Sequence, residues 1–337
     1  MKAQAKILVI RFSSIGDIVL TTPVIRTLKT QLENVEIHYA TKIQFKSILE
    51  ENPYIDRMHF LEDSIQKLIA GLKKEKFDYV IDLHHNLRTF LIKSALGVKS
   101  FSFDKINYEK WLMVNLKINK LPSVHIVDRY LKTVESLGIK NDTLGLDYFI
   151  PDKDVVPLDQ LPLTHQQGFV AYALGAQHST KKLPIDRMIE LCDKINKPIV
   201  LLGGKEDAEV GNRIQNFFKP VDAHTEEGLS RLNKKTIIYN ACGKYNLNQS
   251  ASLVKQAECL FTHDTGLMHI GAAFKKEIFS IWGNTIPLFG MYPYRTKFHV
   301  LENNKLSCRP CSKIGYQKCP KGHFKCMNEI EFDFYVP

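Results

Sequence analysis

Twice in this sequence an aspartate stands where an apolar run breaks at small and hydroxylated residues before a helical pattern begins. The first case is RFSSIGD, Arg11 to Asp17, ahead of IVLTTPVIRTLK; the second is FTHDTGLMHIGAAF, Phe261 to Phe274. An aspartate there can cap the free N–H groups of the new helix. It can also serve a ligand, because parallel α/β sheets bind beyond the carboxyl ends of their strands. In that second role Asp17 could take a proton from a substrate. The turn Asp264, Thr265, Gly266, Leu267 would offer helix N–H groups to a phosphate. His269 falls one turn after Gly266 on nearly the same helix face, as a ligand group or as a packed core histidine. These residues by themselves leave both readings open.

Three further groups carry candidate chemistry. GAQHSTKKLP (175–184) follows an apolar strand and offers Ser179, Thr180 and Lys181 as a phosphate pocket, or else forms a solvated loop. LLGGKEDAEV places Glu206 and Asp207 at a helix start, where a nucleoside hydroxyl could be held. No G-x-G-x-x-G occurs anywhere, which excludes the dinucleotide fingerprint. IDLHHNLRTFLIKS has adjacent His84 and His85 but no further ligand at metal spacing; Arg88 and Lys93 suit an anionic acceptor. The tail CRPCSKIGYQKCPKGHFKC holds Cys308, Cys311, Cys319, His323 and Cys326. Its C-x2-C followed by C-x6-C is a loose match to a structural zinc site, with packed free thiols as the alternative. Cys192, Cys242 and Cys259 fall inside regular elements as small core residues.

Such residues need strands and helices to hold them. Strand candidates at 6–12, 35–41, 78–83, 100–103, 168–174, 198–203, 236–241, 258–263 and 277–282, several of them nearly all apolar, alternate with helix-length stretches such as 184–196 and 248–258. The alternation predicts βα units in doubly wound sheets with both faces covered. Residues 150–168 contain three prolines and little periodicity, the mark of a linker. The expected architecture is α/β, with two Rossmann-like domains, 1–155 and 156–337, facing a central cleft. A formal net charge of +10 calls for an anionic partner. No basic segment interleaves with aromatics as a nucleic-acid platform would, so phosphate ligands or a membrane surface are favoured. No run approaches the roughly 18 apolar residues of a membrane span. The amino terminus runs straight into a strand pattern without a signal-peptide core, so a cytoplasmic protein is expected.

Together these segments resemble glycosyltransferase family 9, the lipopolysaccharide heptosyltransferases. RFSSIGDIVLTTPVIRTLK and HDTGLMHIGAAF carry most of the resemblance, with GAQHSTKKLP and the cysteine tail in support. The resemblance implies a GT-B fold and inverting, metal-independent sugar transfer from a nucleotide donor, ADP-heptose, to the lipopolysaccharide inner core. It implies Asp17 as general base, kept ionised by its helix N-terminus. Thr180 and Lys181 would hold the donor phosphates, with Leu183 standing where that motif carries tryptophan. Asp264, Thr265, Gly266, Leu267 and His269 would form the donor turn, and Glu206 a donor-site acid. Ser13, Ser14, Gly16, Arg88 and Lys93 are the expected acceptor residues. No cofactor is needed for the chemistry; zinc on Cys308, Cys311, Cys319 and Cys326 would be structural. The expected place of work is the inner face of the cytoplasmic membrane, as a peripheral protein. Competing readings are another nucleotide-sugar enzyme such as an epimerase, and a non-catalytic basic nucleic-acid-binding protein.

Overall fold

A computed structural model of the chain describes residues 4–219 and 234–336. Residues 4–131 build a five-stranded parallel sheet of order β3-β2-β1-β4-β5. Its strands are β1 (Ala5–Ile10), β2 (Val35–Lys42), β3 (Arg57–Leu61), β4 (Tyr79–Asp82) and β5 (Lys99–Ser102). Ile7 of β1 stands between Ile37 of β2 and Tyr79 of β4. Its helices are α1 (Ile15–Val19), α2 (Thr22–Gln31), α3 (Ile65–Glu75), α4 (Leu87–Leu96), α5 (Asn107–Trp111) and α6 (Ile126–Leu131).

The second sheet has six parallel strands in the order β11-β10-β9-β6-β7-β8. These are β6 (Val170–Ala173), β7 (Pro198–Leu202), β8 (Ile237–Asn240), β9 (Cys259–His263), β10 (Glu277–Trp282) and β11 (Phe298–Glu302). The helices here are α7 (Ile185–Ile195), α8 (Ala208–Phe217), α9 (Leu247–Gln256) and α10 (Gly266–Ala273). Between the sheets the chain makes three single helical turns, 152–154, 158–160 and 163–165, each opened by a proline.

Every residue of β6 and β9 is buried. Their apolar composition follows from this, since a parallel strand is covered by helices on both faces; each buried aliphatic side chain contributes about 1.5–3 kcal/mol. Local signals agree with the layout. Ser64 caps α3 and Asn86 caps α4, while Gly97 ends α4 in the left-handed conformation. Pro23 sits in the first turn of α2, where its missing N–H costs nothing. Among the described residues no helix is long and apolar enough to cross a membrane.

Each sheet reverses its winding once, between β1 and β4 in the first and between β6 and β9 in the second. Those reversals leave crevices at the carboxyl ends of the strands, the usual ligand positions of such sheets. RFSSIGD leaves β1, HHN leaves β4, GAQHSTKK leaves β6 and HDTG leaves β9. Four of the loops singled out for their chemistry therefore stand at a reversal point, whereas LLGGKEDAEV follows β7, away from one.

Candidate active site

The two crevices meet through glycines. A Cβ on Gly16 would lie 2.5 Å from His269 Cδ2, and one on Gly266 would lie 2.7 Å from Ile15 Cγ2. Only hydrogen at both positions lets α1 and α10 approach this closely. The approach brings Asp17, His269, Asp264 and Lys181 into one constellation although they span most of the chain.

Asp17 is the third residue of α1, and the extended N-cap residue Ser14 donates to its carboxylate. Its Oδ2 accepts from the Ser14 hydroxyl (2.9 Å) and backbone N–H (3.2 Å), while Oδ1 pairs with the Arg11 guanidinium at 2.8 Å. Burial pushes this carboxyl up, but Arg11 and the Ser14 bonds outweigh it and hold it below its ordinary value. With only five residues in α1 the helix dipole is weak. The anion is held by Arg11, not by the helix terminus that the sequence suggested. Arg11 itself donates to Leu83 O (2.6 Å), Ser13 O (2.6 Å) and the Tyr130 hydroxyl (3.0 Å). It thereby ties the loop after β1 to the loop after β4.

Lys181 lies on a single turn, Ser179–Lys181, and pairs with Asp264 Oδ2 at 2.5 Å across the second reversal point. The Thr285 hydroxyl donates to the same oxygen at 3.2 Å. Leu183 N donates to His263 Nε2 at 3.0 Å, a further tie between the loops after β6 and β9. The free N–H groups of the α10 N-terminus, Gly266 and Leu267, open beside this pair, behind Thr265 as N-cap. His269 is buried with no partner for Nδ1 among the described residues, and burial pushes it down to about 4. It is therefore neutral at physiological pH.

Some expected residues are placed differently. The Thr180 hydroxyl is buried and exchanges bonds with Tyr316, donating to its carbonyl (2.9 Å) and accepting from its N–H (2.8 Å). It braces the loop instead of facing a ligand. The Lys93 ammonium pairs with Asp82 (2.9 Å) and donates to the Ser102 hydroxyl (2.7 Å), as Lys181 pairs with Asp264; Arg88, five residues earlier on α4, is exposed. Glu206 is exposed after β7, whereas Asp207 is buried and paired with Lys182 at 2.7 Å.

The zinc expectation is also corrected. Among the described residues, no three of Cys308, Cys311, Cys319, His323 and Cys326 bring their ligand atoms within 4.8 Å of one another. Cys308 Sγ faces His323 Nε2 at 3.9 Å, Cys311 Sγ donates to Cys308 O, and Cys326 is packed in the core. The tail is a brace. Arg309 donates to Gly283 O (2.5 Å) and Thr285 O (3.0 Å), Cys311 N donates to Asn284 O (3.0 Å), and Tyr316 holds Thr180.

Sequence reasoning missed five residues. Arg11 was quoted but assigned no role. Thr285 and Asn284 follow β10, and neither side-chain polar atom of buried Asn284 has a partner among the described residues. Lys105 and Lys110 lie close enough to Asp17 to interact with its charge. Burial, with Arg129 and Lys313 nearby, pushes Lys110 down to about 8. The lysines between 105 and 120 were the available signal for that cationic side.

The two parallel sheets have the GT-B fold of solved heptosyltransferases. The chain belongs to glycosyltransferase family 9 (heptosyltransferase), whose family model matches residues 65–320. It is 23% identical over 303 residues to lipopolysaccharide heptosyltransferase 1 of Campylobacter coli, covering 83% of this chain and 84% of that protein. In structure it resembles a family 9 glycosyl transferase from Veillonella parvula, at 22% identity and a TM-score of 0.69, over 90% of this chain and 87% of that one. It also resembles the ADP-heptose lipopolysaccharide heptosyltransferase II of Escherichia coli, at 20% identity and a TM-score of 0.67, over 96% and 98% of the two chains.

Proposed function

We propose that this glycosyltransferase moves heptose from ADP-heptose to a lipopolysaccharide inner-core acceptor, with inversion at the anomeric carbon and Asp17 as general base. The observation that carries the reading is the juxtaposition of Asp17 with the Lys181–Asp264 pair and the α10 N-terminus across the Gly16–Gly266 contact. The acceptor hydroxyl oxygen bonds to the anomeric carbon as the bond to the diphosphate oxygen breaks. The hydroxyl proton passes to Asp17, and ADP leaves as the anion. Lys181 and the N–H groups of Gly266 and Leu267 meet the charge that grows on the diphosphate, which is where fixed dipoles and cations act most strongly. Asp264 and Thr285 orient Lys181. Arg11 and Ser14 fix the Asp17 carboxylate so that a remaining lone pair points at the acceptor. The chain's own residues fill each role, without a metal or cofactor. The acceptor is lipid-linked, so the enzyme works peripherally at the cytoplasmic membrane surface.

The test has two arms. A thermal-shift panel of ADP-, UDP-, GDP- and CMP-linked sugars should single out ADP-heptose, since a ligand that binds only the folded chain raises its midpoint. Asp17→Asn should then keep that shift and lose turnover by about a thousandfold or more, at the upper end of a general-base contribution. Turnover near the wild-type rate in this variant would remove Asp17 from the mechanism, and stabilisation by a different nucleotide would change the donor.

A further inference from the structure

A helix on a parallel sheet normally turns its apolar stripe inward; α4 carries a second stripe that faces outward. Its buried residues are Thr89 and Ile92, whereas Leu87 is 73% exposed, Phe90 59% and Leu91 44%. The spacing i, i+3, i+4 puts these three on one outward stripe. The next crossover repeats the pattern. On and after α5, Tyr108 is 68% exposed, Trp111 53%, and Leu116 and Ile118 are also exposed. α4 follows β4 and α5 follows β5, and β4 and β5 are neighbours. Both apolar stretches therefore begin at the same sheet edge as Asp17.

Charge selects the occupant. From Asn86 to Lys120 the chain carries seven lysines and arginines against two acids, Asp104 and Glu109. Arg88, Lys99 and Lys120 are exposed among the apolar side chains. A patch of Leu, Phe, Tyr and Trp rimmed by cations matches a bilayer interface: rings and aliphatic tips enter the headgroup–acyl boundary while basic side chains meet anionic headgroups. We infer that the outward faces of α4 and of the α5 segment form a membrane-docking ridge for anionic phospholipid, holding the acceptor side of the cleft against the bilayer. The inference rests on the reading of the acceptor as lipid-linked, and names the surface that reaches it.

The chain carries its own reporter. Of its two tryptophans, Trp282 is buried and Trp111 lies on the ridge. The full chain is mixed with vesicles of phosphatidylcholine alone or with phosphatidylglycerol, and both co-sedimentation and tryptophan emission are read. With the anionic vesicles the protein should sediment and its emission shift to the blue, both weakening as salt rises. The variant L87S/F90S/L91S removes solvent-exposed side chains, so it should fold with an unchanged midpoint. Its vesicle partition should fall by more than about tenfold, while its turnover on a deacylated, water-soluble acceptor stays at the wild-type level. Wild-type vesicle binding by the variant, or no binding by the parent chain, overturns the ridge. So does sedimentation equilibrium showing a dimer that this variant dissolves, since a second copy would then be the occupant. Vesicle binding that follows the ridge, with no turnover on any acceptor, would instead retain the ridge and defeat the proposed reaction.

Discussion

At the residue scale the proposed mechanism asks a carboxylate to take a proton while it is paired to a guanidinium. Arg11 holds Asp17 below its ordinary value, so the carboxylate is ionised over the whole physiological range but is a weak base. The arrangement favours orientation over basicity: both oxygens are fixed, and the proton needs to move only as the acceptor oxygen loses electron density to the anomeric carbon. A depressed carboxyl keeps activity as pH falls until its own pKa is crossed, so the acid limb of kcat/KM should lie below the usual carboxylate range. Arg11→Lys keeps a cation but loses the fork that reaches Leu83, Ser13 and Tyr130. Arg11→Met removes the charge altogether and should move the acid limb upward, because the lowering by the guanidinium is lost, with Arg11→Lys intermediate. An acid limb identical in all three proteins would mean that the profile reports another group.

At the element scale, two short helices control the distance between the reacting walls. Gly16→Ala places a methyl group 2.5 Å from the His269 ring edge, so α1 and α10 must separate or the ring must turn. A displacement of even about 1 Å can cost about a hundredfold in rate, so turnover should fall steeply. Stability should drop by only about 1–3 kcal/mol, as for other overpacked sites. Gly71→Ala on α3, where a Cβ would meet nothing within 4 Å, is the matched control and should be neutral or slightly stabilising. Equal turnover in the two variants would detach the helix contact from catalysis. Much of this scale was legible in the chain. Strands such as EIFSIW read as strands because burial on both faces leaves them nearly all apolar, and EIFSIW matches β10 residue for residue. The edge strands RMHFL and FHVLE, β3 and β11, were not read, because Arg57, His59, His299 and Glu302 interrupt the apolar run at the sheet rims. Asp17 and Lys181 were readable as chemistry at strand ends. The Arg11 partnership was not, because a bond to a carbonyl 72 positions away exists only after β1 and β4 pair.

At the scale of the whole molecule, stability should depend on pH through histidines buried in both domains. His59, His84, His263 and His269 are pushed down to about 4 and His125 to about 3, in each case first of all by burial. His59 stands beside His38 on the first sheet, His84 against Phe12 near Asp17, and His263 at the end of β9. His125 joins the first domain to Tyr292 of the second, and His269 stands between the domains. The sign follows from linkage. Unfolded, each imidazole takes up a proton near its ordinary value of 6.5, whereas the folded chain refuses it until about pH 4. Protonation therefore favours the unfolded chain across that window. The contribution is complete above about pH 6.5 and is lost as pH falls toward 4. If only two of the five behave so, one pH unit inside the window costs about 3 kcal/mol, or roughly four degrees in midpoint for a chain of this size. Carboxylates held below their ordinary values, such as Asp82 beside Lys93 and Asp142 beside Arg26, add a loss of the same sign at more acid pH. Thermal midpoints recorded from pH 8 to pH 4.5 in one ionic strength should be flat at the alkaline end and decline through the histidine window. His125→Gln, which keeps a donor toward Tyr292 O without a group that titrates there, should make the decline shallower. A midpoint at pH 5 as high as that at pH 7 would mean that these imidazoles are protonated within the fold, and the neutral His269 assigned to the cleft would fall with them.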